Sequence, residues 1–116
     1  MKKSIFFIIF LIAGYIFSIS IFAGDIYIED SSSYADVKVY VVDYKSDADL
    51  CVYVTDYSSD ASGRDDVWYY EDSSSFADVS IYFTDYESDA DLLVYFVDYK
   101  SDAGWRNSNK FQGRLH

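Results

Sequence analysis

An internal duplication constrains this chain more than any other feature of its sequence. Residues 26–64 align with residues 68–106, and 25 of the 39 aligned positions are identical. Residues 29–37 read EDSSSYADV, and residues 71–79 read EDSSSFADV. Two copies of one unit predict two similar halves, 26–64 and 68–106, within a single small domain.

Each half also repeats on a shorter period of 13 residues. An apolar or aromatic triplet with tyrosine at its centre opens each period, and residues typical of turns close it. The triplets lie at 26–28, 39–41, 52–54, 68–70, 81–83 and 94–96. The pattern predicts an all-β fold of six short strand-turn units, and the brevity of each apolar run disfavours helices. From the pattern alone we expect a small β-solenoid or barrel.

The N-terminus has the layout of a secretory signal. Lys2 and Lys3 precede an uncharged apolar stretch over 5–23, and the extended pattern begins just beyond it. We interpret 1–23 as a signal peptide cleaved after Ala23, and an uncleaved membrane anchor is the alternative. Both interpretations export the domain 24–116 to the periplasm or the medium, and cleavage would leave no segment inserted in the membrane.

The charge of the exported domain limits its partners. Removal of Lys2 and Lys3 leaves seven basic residues against twenty acidic ones, a formal net charge of −13. A surface of this sign repels the phosphate backbone, so nucleic acid is not an expected partner. A basic protein is the partner class that the charge favours, and we expect a monomer.

The sequence contains one cysteine, Cys51, so no disulfide can form within the chain. Leu93 occupies the same position in the second half. We therefore expect Cys51 to be a packed apolar side chain rather than a reactive thiol.

Aspartate recurs in the predicted turns. If the units stack, carboxylates from neighbouring turns come close together, and calcium is the hard cation that would relieve their repulsion. Asp and Ser also cap free backbone N–H groups, and the spacing matches no calcium-binding loop, so we prefer a structural role without a cofactor. The candidate calcium ligands are Asp43, Asp47, Asp49, Asp85, Asp89 and Asp91.

No motif in the sequence points to an enzyme. The only histidine is the last residue, His116, which disfavours a Ser-His-Asp arrangement and a His-ligated zinc site. No phosphate-binding glycine loop is present among the five glycines. An enzyme with paired carboxylates is a third hypothesis, and it requires a concave site with two aspartates of opposed pKa.

The aromatic residues admit two interpretations. Thirteen tyrosines and two tryptophans could form a platform for stacking carbohydrate, but their strand positions favour core and strand-to-strand packing. Trp105, beside Arg106 and outside the repeat, is the one aromatic residue that we would test for a surface role. The tail 107–116 breaks the repeat, and it either lies on the acidic body or is loose.

Two of the repeat units resemble those of a known family. Residues 39–50 (VYVVDYKSDADL) and 94–105 (VYFVDYKSDAGW) are similar to the septoil-knot family of small bacterial proteins. The resemblance extends over 26–107 and implies an all-β fold whose two halves wind around each other in a deeply knotted, seven-crossing backbone. It implies no activity. A fold of this kind forms contacts between distant residues, so slow folding and slow unfolding are expected.

These patterns together predict an exported, non-enzymatic and structurally durable acidic β domain. Its role is that of a binding or envelope-associated structural module. A calcium-binding module is the alternative.

Overall fold

The computed structural model describes residues 24–116, so the predicted signal peptide lies outside the described residues. Six strands of four or five residues and a two-residue strand follow one another along the chain. They are β1 (Asp25–Ile28), β2 (Val37–Val41), β3 (Leu50–Val54), β4 (Val67–Tyr70), β5 (Val79–Phe83), β6 (Leu92–Phe96) and β7 (Gly104–Trp105). One turn of helix, α1 (Ser58–Ala61), follows β3, and short 3₁₀ turns follow the other long strands.

Strands β1 to β6 form a closed barrel of parallel strands. Their order around the barrel is β4-β1-β5-β2-β6-β3, and β3 pairs with β4 to close the ring. Within the described residues, every pairing joins a strand of one half to a strand of the other, including the antiparallel pair of β7 with β3. The predicted all-β fold with two interwound halves is therefore confirmed, in the form of a barrel.

Aliphatic side chains and one tryptophan, Trp68, fill the interior of the barrel. Successive residues of a strand point to opposite faces, so in β2 the buried Val37 and Val39 alternate with the partly exposed Lys38 and Tyr40. Every barrel strand contributes to one core cluster. Its buried members are Ile26, Val37, Val39, Leu50, Val52, Trp68, Val79, Ile81, Leu92, Val94 and Leu115.

The tyrosine at the centre of each triplet lies outside this core. Each one is half-buried on the outer face of its strand, where it alternates with the buried core residues. These residues are Tyr27, Tyr40, Tyr53, Tyr69, Tyr82 and Tyr95. The barrel therefore has a belt of tyrosines around its outside, one on each strand.

The connections between strands cover part of the outer face. The connection 55–66 joins the adjacent strands β3 and β4. Each of the other connections links two strands of one half and crosses a strand of the other half that lies between them. The 3₁₀ turn Ser32–Tyr34 contacts β5, Lys45–Asp47 contacts β6, Ser74–Phe76 contacts β1, and Lys100–Asp102 contacts β3. This partial cover explains why the strands carry apolar and aromatic residues on both faces.

The C-terminal tail lies on the barrel. Leu115 is fully buried and belongs to the core cluster, and Phe111 packs against that cluster. Trp105 is partly buried and packs against the core. Cys51 is buried, as predicted. In residues 24–116, no helix has the length and apolar character needed to cross a membrane.

Candidate functional site

Four aspartates join the two halves through reciprocal hydrogen bonds. The backbone N–H of Asp49 donates to the carbonyl oxygen of Leu93 at 2.8 Å, and the N–H of Leu93 donates to Oδ2 of Asp49 at 3.0 Å. Each aspartate follows an alanine and stands immediately before a strand. The same arrangement occurs in the pairs Asp36–Ser80, Asp78–Asp25 and Asp91–Lys38. We call these four pairs the aspartate clamps, because each holds a strand of one half against a strand of the other.

The clamps account for two of the six candidate calcium ligands. The carboxylates of Asp49 and Asp91 accept hydrogen bonds from backbone N–H groups of the opposite half. The other four side chains are exposed in the turns: Asp43, Asp47, Asp85 and Asp89. Within the described part of the chain, no group of three His, Cys, Asp or Glu side chains is close enough to hold a metal ion. Calcium binding thus stays a prediction from the sequence.

A buried carboxyl group lies at the first residue of β1. Asp25 is 1% exposed, and its Oδ1 has no hydrogen-bond partner among the described residues. Burial, a hydrogen bond with Glu71 and the negative charges of Glu71 and Asp78 raise the pKa of Asp25 to about 7. Partial burial also raises the pKa of Asp78, although the N–H of Asp25 and the nearby His116 oppose this shift. Both shifts are upward, and the negative charge of Glu71 contributes to each of them.

Asp65 anchors the C-terminal tail. Its carboxylate accepts hydrogen bonds from the backbone N–H groups of Gly113 and Leu115 and from Nε1 of Trp105, the last two at 2.9 Å. Nε2 of His116 lies 3.5 Å from Oδ1 of Asp65. This role of Asp65 was not predicted from the sequence; the residue lies between the halves, where the period of 13 is interrupted. That interruption was its only signal in the sequence.

An aromatic side chain is exposed at each of the six turns. The exposed fractions of these side chains range from 63% to 74%, well above those of the strand tyrosines. The residues are Tyr34, Tyr44, Tyr57, Phe76, Tyr86 and Tyr99. Four of them, in the motif Asp-Tyr-x-Ser-Asp, have an aspartate close by on either side in sequence. The outer surface therefore presents aromatic rings and carboxylates together, in a pattern that repeats around the barrel.

Local hydrogen bonds hold the backbone of the exposed tyrosines in place. The N–H of Asp89 donates to the carbonyl oxygen of Tyr86 at 3.1 Å, and the N–H of Tyr86 donates to Oγ1 of Thr84 at 3.3 Å. The N–H of Asp102 donates to the carbonyl oxygen of Tyr99 at 3.0 Å. The turns thus fix the position from which each ring extends.

Two clefts on the outer surface are lined by equivalent positions of neighbouring repeats. The first cleft, of about 370 Å³, lies where the turn Ser32–Tyr34 passes over β5. The second cleft, of about 230 Å³, lies where the turn Lys45–Asp47 passes over β6. The paired lining positions, each 13 residues apart, are Ser32 and Lys45, Tyr82 and Tyr95, Thr84 and Val97, Asp85 and Asp98, Tyr86 and Tyr99, and Asp89 and Asp102.

Both clefts combine the same kinds of side chain. Each has one half-buried strand tyrosine, one exposed turn tyrosine and two aspartates. Each also has one lysine, which is Lys38 in the first cleft and Lys45 in the second. Such a set can stack against a flat ligand and both donate and accept hydrogen bonds.

Comparison with known proteins gives one match. A family model, described as the 7(1) septoil knot domain, matches residues 20–106. The match spans both halves of the duplication and ends before the tail. No curated protein and no solved structure matches the chain significantly.

Proposed function

Since this chain belongs to the septoil-knot family, we propose that it is an exported, non-enzymatic and structurally durable acidic β domain. The domain acts as a binding module of the cell envelope or the extracellular medium, through its outer surface. The observation that carries this proposal is the exposed aromatic ring at each of the six turns. Aromatic side chains are enriched at protein interfaces relative to the rest of the surface, and their exposure at all six equivalent positions supports a binding role.

A basic protein is the partner that this surface favours. Lysine and arginine side chains bind aromatic faces through cation–π contacts, and the flanking carboxylates supply the opposite charge. The formal charge of −13 on residues 24–116 attracts a basic partner over a long range and speeds its association at low salt.

Durability is supported by the way the sheet is assembled. Each strand of one half is hydrogen-bonded between strands of the other, and four aspartate clamps add contacts across the same boundary. Neither half can leave the barrel while the other stays folded, so opening requires cooperative loss of the whole sheet. A domain that opens rarely resists proteolysis outside the cell without any disulfide.

The test uses the mature protein, recovered after the full chain is expressed and exported in a bacterium. Its N-terminal sequence should begin at Gly24, and its binding to fluorescently labelled deca-lysine and deca-arginine is measured by anisotropy. We expect binding at low salt that weakens as salt rises, with labelled deca-glutamate as the negative control.

The aromatic contribution is tested separately from the charge. The double variant Tyr44→Ser and Tyr57→Ser keeps every charge and removes two exposed rings, so deca-arginine binding should weaken several-fold. Absence of binding at low salt would contradict the proposed partner class. If the double variant binds deca-arginine as tightly as the unchanged protein, charge alone accounts for the binding, and the turn aromatics are not part of the site.

A further inference from the structure

Each of the two clefts contains a lysine in addition to its tyrosines and aspartates. The lysine disfavours a cationic side chain as the occupant of a cleft, and the two aspartates disfavour an anion. A neutral ligand rich in hydroxyl groups can bind both the lysine and the aspartates, because a hydroxyl donates to carboxylate oxygens and accepts from an ammonium group.

The tyrosines of each cleft fit the rings of such a ligand. Tyr82 in the first cleft and Tyr95 in the second are half-buried on the barrel surface, and Tyr86 and Tyr99 extend from the adjoining turns. The apolar C–H face of a pyranose ring stacks on an aromatic face, while the hydroxyl groups at its edge remain free for hydrogen bonds. Ligand sites typically have volumes of about 300–1,000 Å³. The first cleft, of about 370 Å³, lies near the lower end of this range and the second, of about 230 Å³, lies below it, so each suits only one or two sugar rings.

The repetition of the cleft points to a repetitive ligand. The two clefts occupy the same position in neighbouring units, and β5 and β6 are separated only by β2 in the barrel. Two like sites on one rigid body bind a chain of like units more tightly than either site binds a single unit. The hydrogen-bonded turns that hold Tyr86 and Tyr99 reduce the entropy lost when a ligand binds.

We propose that the first and second clefts are repeated subsites for a neutral polysaccharide built from pyranose units. This site goes beyond the basic partner proposed above, and binding there does not need that partner. A domain with both sites would connect a polysaccharide of the envelope or its surroundings to a basic protein.

The test measures binding of mature protein to neutral sugars at 0.5 M NaCl, where attraction of basic chains is screened. The probes are cello-, manno- and fully N-acetylated chito-oligosaccharide hexamers, with the corresponding monosaccharides and the anionic polymer polygalacturonate for comparison. Calorimetry and tyrosine fluorescence give the dissociation constants. We expect at least one neutral hexamer to bind more tightly than its monosaccharide, with little dependence on salt, and polygalacturonate to bind weakly or not at all.

Matched variants locate the site. Tyr86→Ser and Tyr99→Ser should each weaken hexamer binding about twofold to tenfold, the range that loss of one aromatic contact gives, and the double variant should weaken it further. Tyr44→Ser and Tyr57→Ser remove rings of similar exposure outside both clefts, and they should leave sugar binding unchanged. All four side chains are largely exposed, so the variants should fold, which circular dichroism verifies.

Three outcomes would overturn the proposal. They are no detectable binding of any neutral hexamer at 10 mM, preference for the anionic polymer, or equal loss of binding in the cleft and control variants. None of these results bears on deca-lysine or deca-arginine binding at low salt, so the basic-partner proposal stands or falls separately.

Discussion

The backbone N–H of Leu115 donates a hydrogen bond to Oδ1 of Asp65 at 2.9 Å, across 50 residues of chain. Asp65 belongs to the connector between the halves, and Leu115 places its side chain fully within the core cluster. The end of the chain is thereby part of the barrel's packing, although its sequence lies outside the repeat.

Replacement of Asp65 by alanine should release the tail. The variant leaves the N–H groups of Gly113 and Leu115 and the indole of Trp105 without their acceptor. We expect a loss of about 3 kcal/mol in the free energy of unfolding, measured with urea, because each orphaned donor costs about 1–3 kcal/mol and the costs overlap. Hydrogen exchange at 113–116 should accelerate. The exposed Asp72→Ala serves as control, and a tail that stays protected in Asp65→Ala would contradict this role.

The aspartates of the clamps should contribute more to the free energy of unfolding than the other turn aspartates do. Asp49→Ala removes the acceptor for the N–H of Leu93 and should lower the free energy of unfolding by about 1–3 kcal/mol. Asp47→Ala, two residues away and exposed, should change it by less than about 0.5 kcal/mol. Equal effects of the two substitutions, measured by the same urea titration, would show that the clamp adds nothing to stability.

Asp25 should make the domain less stable as the pH rises. Its pKa is raised from 3.8 to about 7 in the folded protein, so between these values the folded state keeps a proton that the unfolded state releases. The contribution of this carboxyl to stability is complete below about pH 4 and is lost as the pH rises through about 7. The pKa of Asp78 is also raised in the folded protein, so this carboxyl affects stability in the same direction.

Asp25→Asn tests this dependence. Relative to the unchanged protein, the variant should gain on the order of 1–4 kcal/mol between pH 4.5 and pH 8. The exposed Asp30→Asn should follow the unchanged protein at every pH. Parallel stability curves for Asp25→Asn and the unchanged protein would mean that Asp25 does not hold the proton.

Calcium should have little effect on stability. Two of the six candidate ligands are engaged by backbone N–H groups, and the described residues contain no metal-sized group of carboxylates. We expect 5 mM CaCl₂ to shift the melting temperature no more than NaCl of equal ionic strength, with a chelator as the reference state. A rise of many degrees specific to calcium would instead restore the calcium-binding module as the leading function.

The positions of the strands could be predicted well from the sequence, but the register and order in which individual strands pair could not. The triplet 39–41 falls within β2, and the other triplets match their strands similarly, because spacing along the chain is a local property. Pairing between Asp49 and Leu93 depends on which strands meet after the chain has wound, and nothing local in the sequence encodes that choice.

The exposure of each aromatic residue could not be predicted from the sequence either. Tyr40 and Tyr44 are the same residue four positions apart, yet one is half-buried on a strand and the other is 69% exposed on a turn. Their roles follow from where the connection leaves the barrel. The clefts could not be predicted either, because their walls combine a turn of one half with a strand of the other.

The halves should fold only together. A chain ending at Ser62 and a chain beginning at Gly63 each contain three barrel strands that do not pair among themselves. We expect each fragment alone to lack β-sheet circular dichroism as a monomer, and an equimolar mixture to recover it slowly. A monomeric fragment with full β structure would contradict the strand order, and a mixture of scrambled-sequence fragments provides the control.

The strand order makes one copy of the duplicated unit incomplete by itself. A single copy contains three barrel strands that do not pair among themselves, so it would need a second copy to close the sheet. In this chain the second copy is covalently attached, so closing the barrel is an intramolecular step. The stability of the barrel should therefore not change when the protein is diluted.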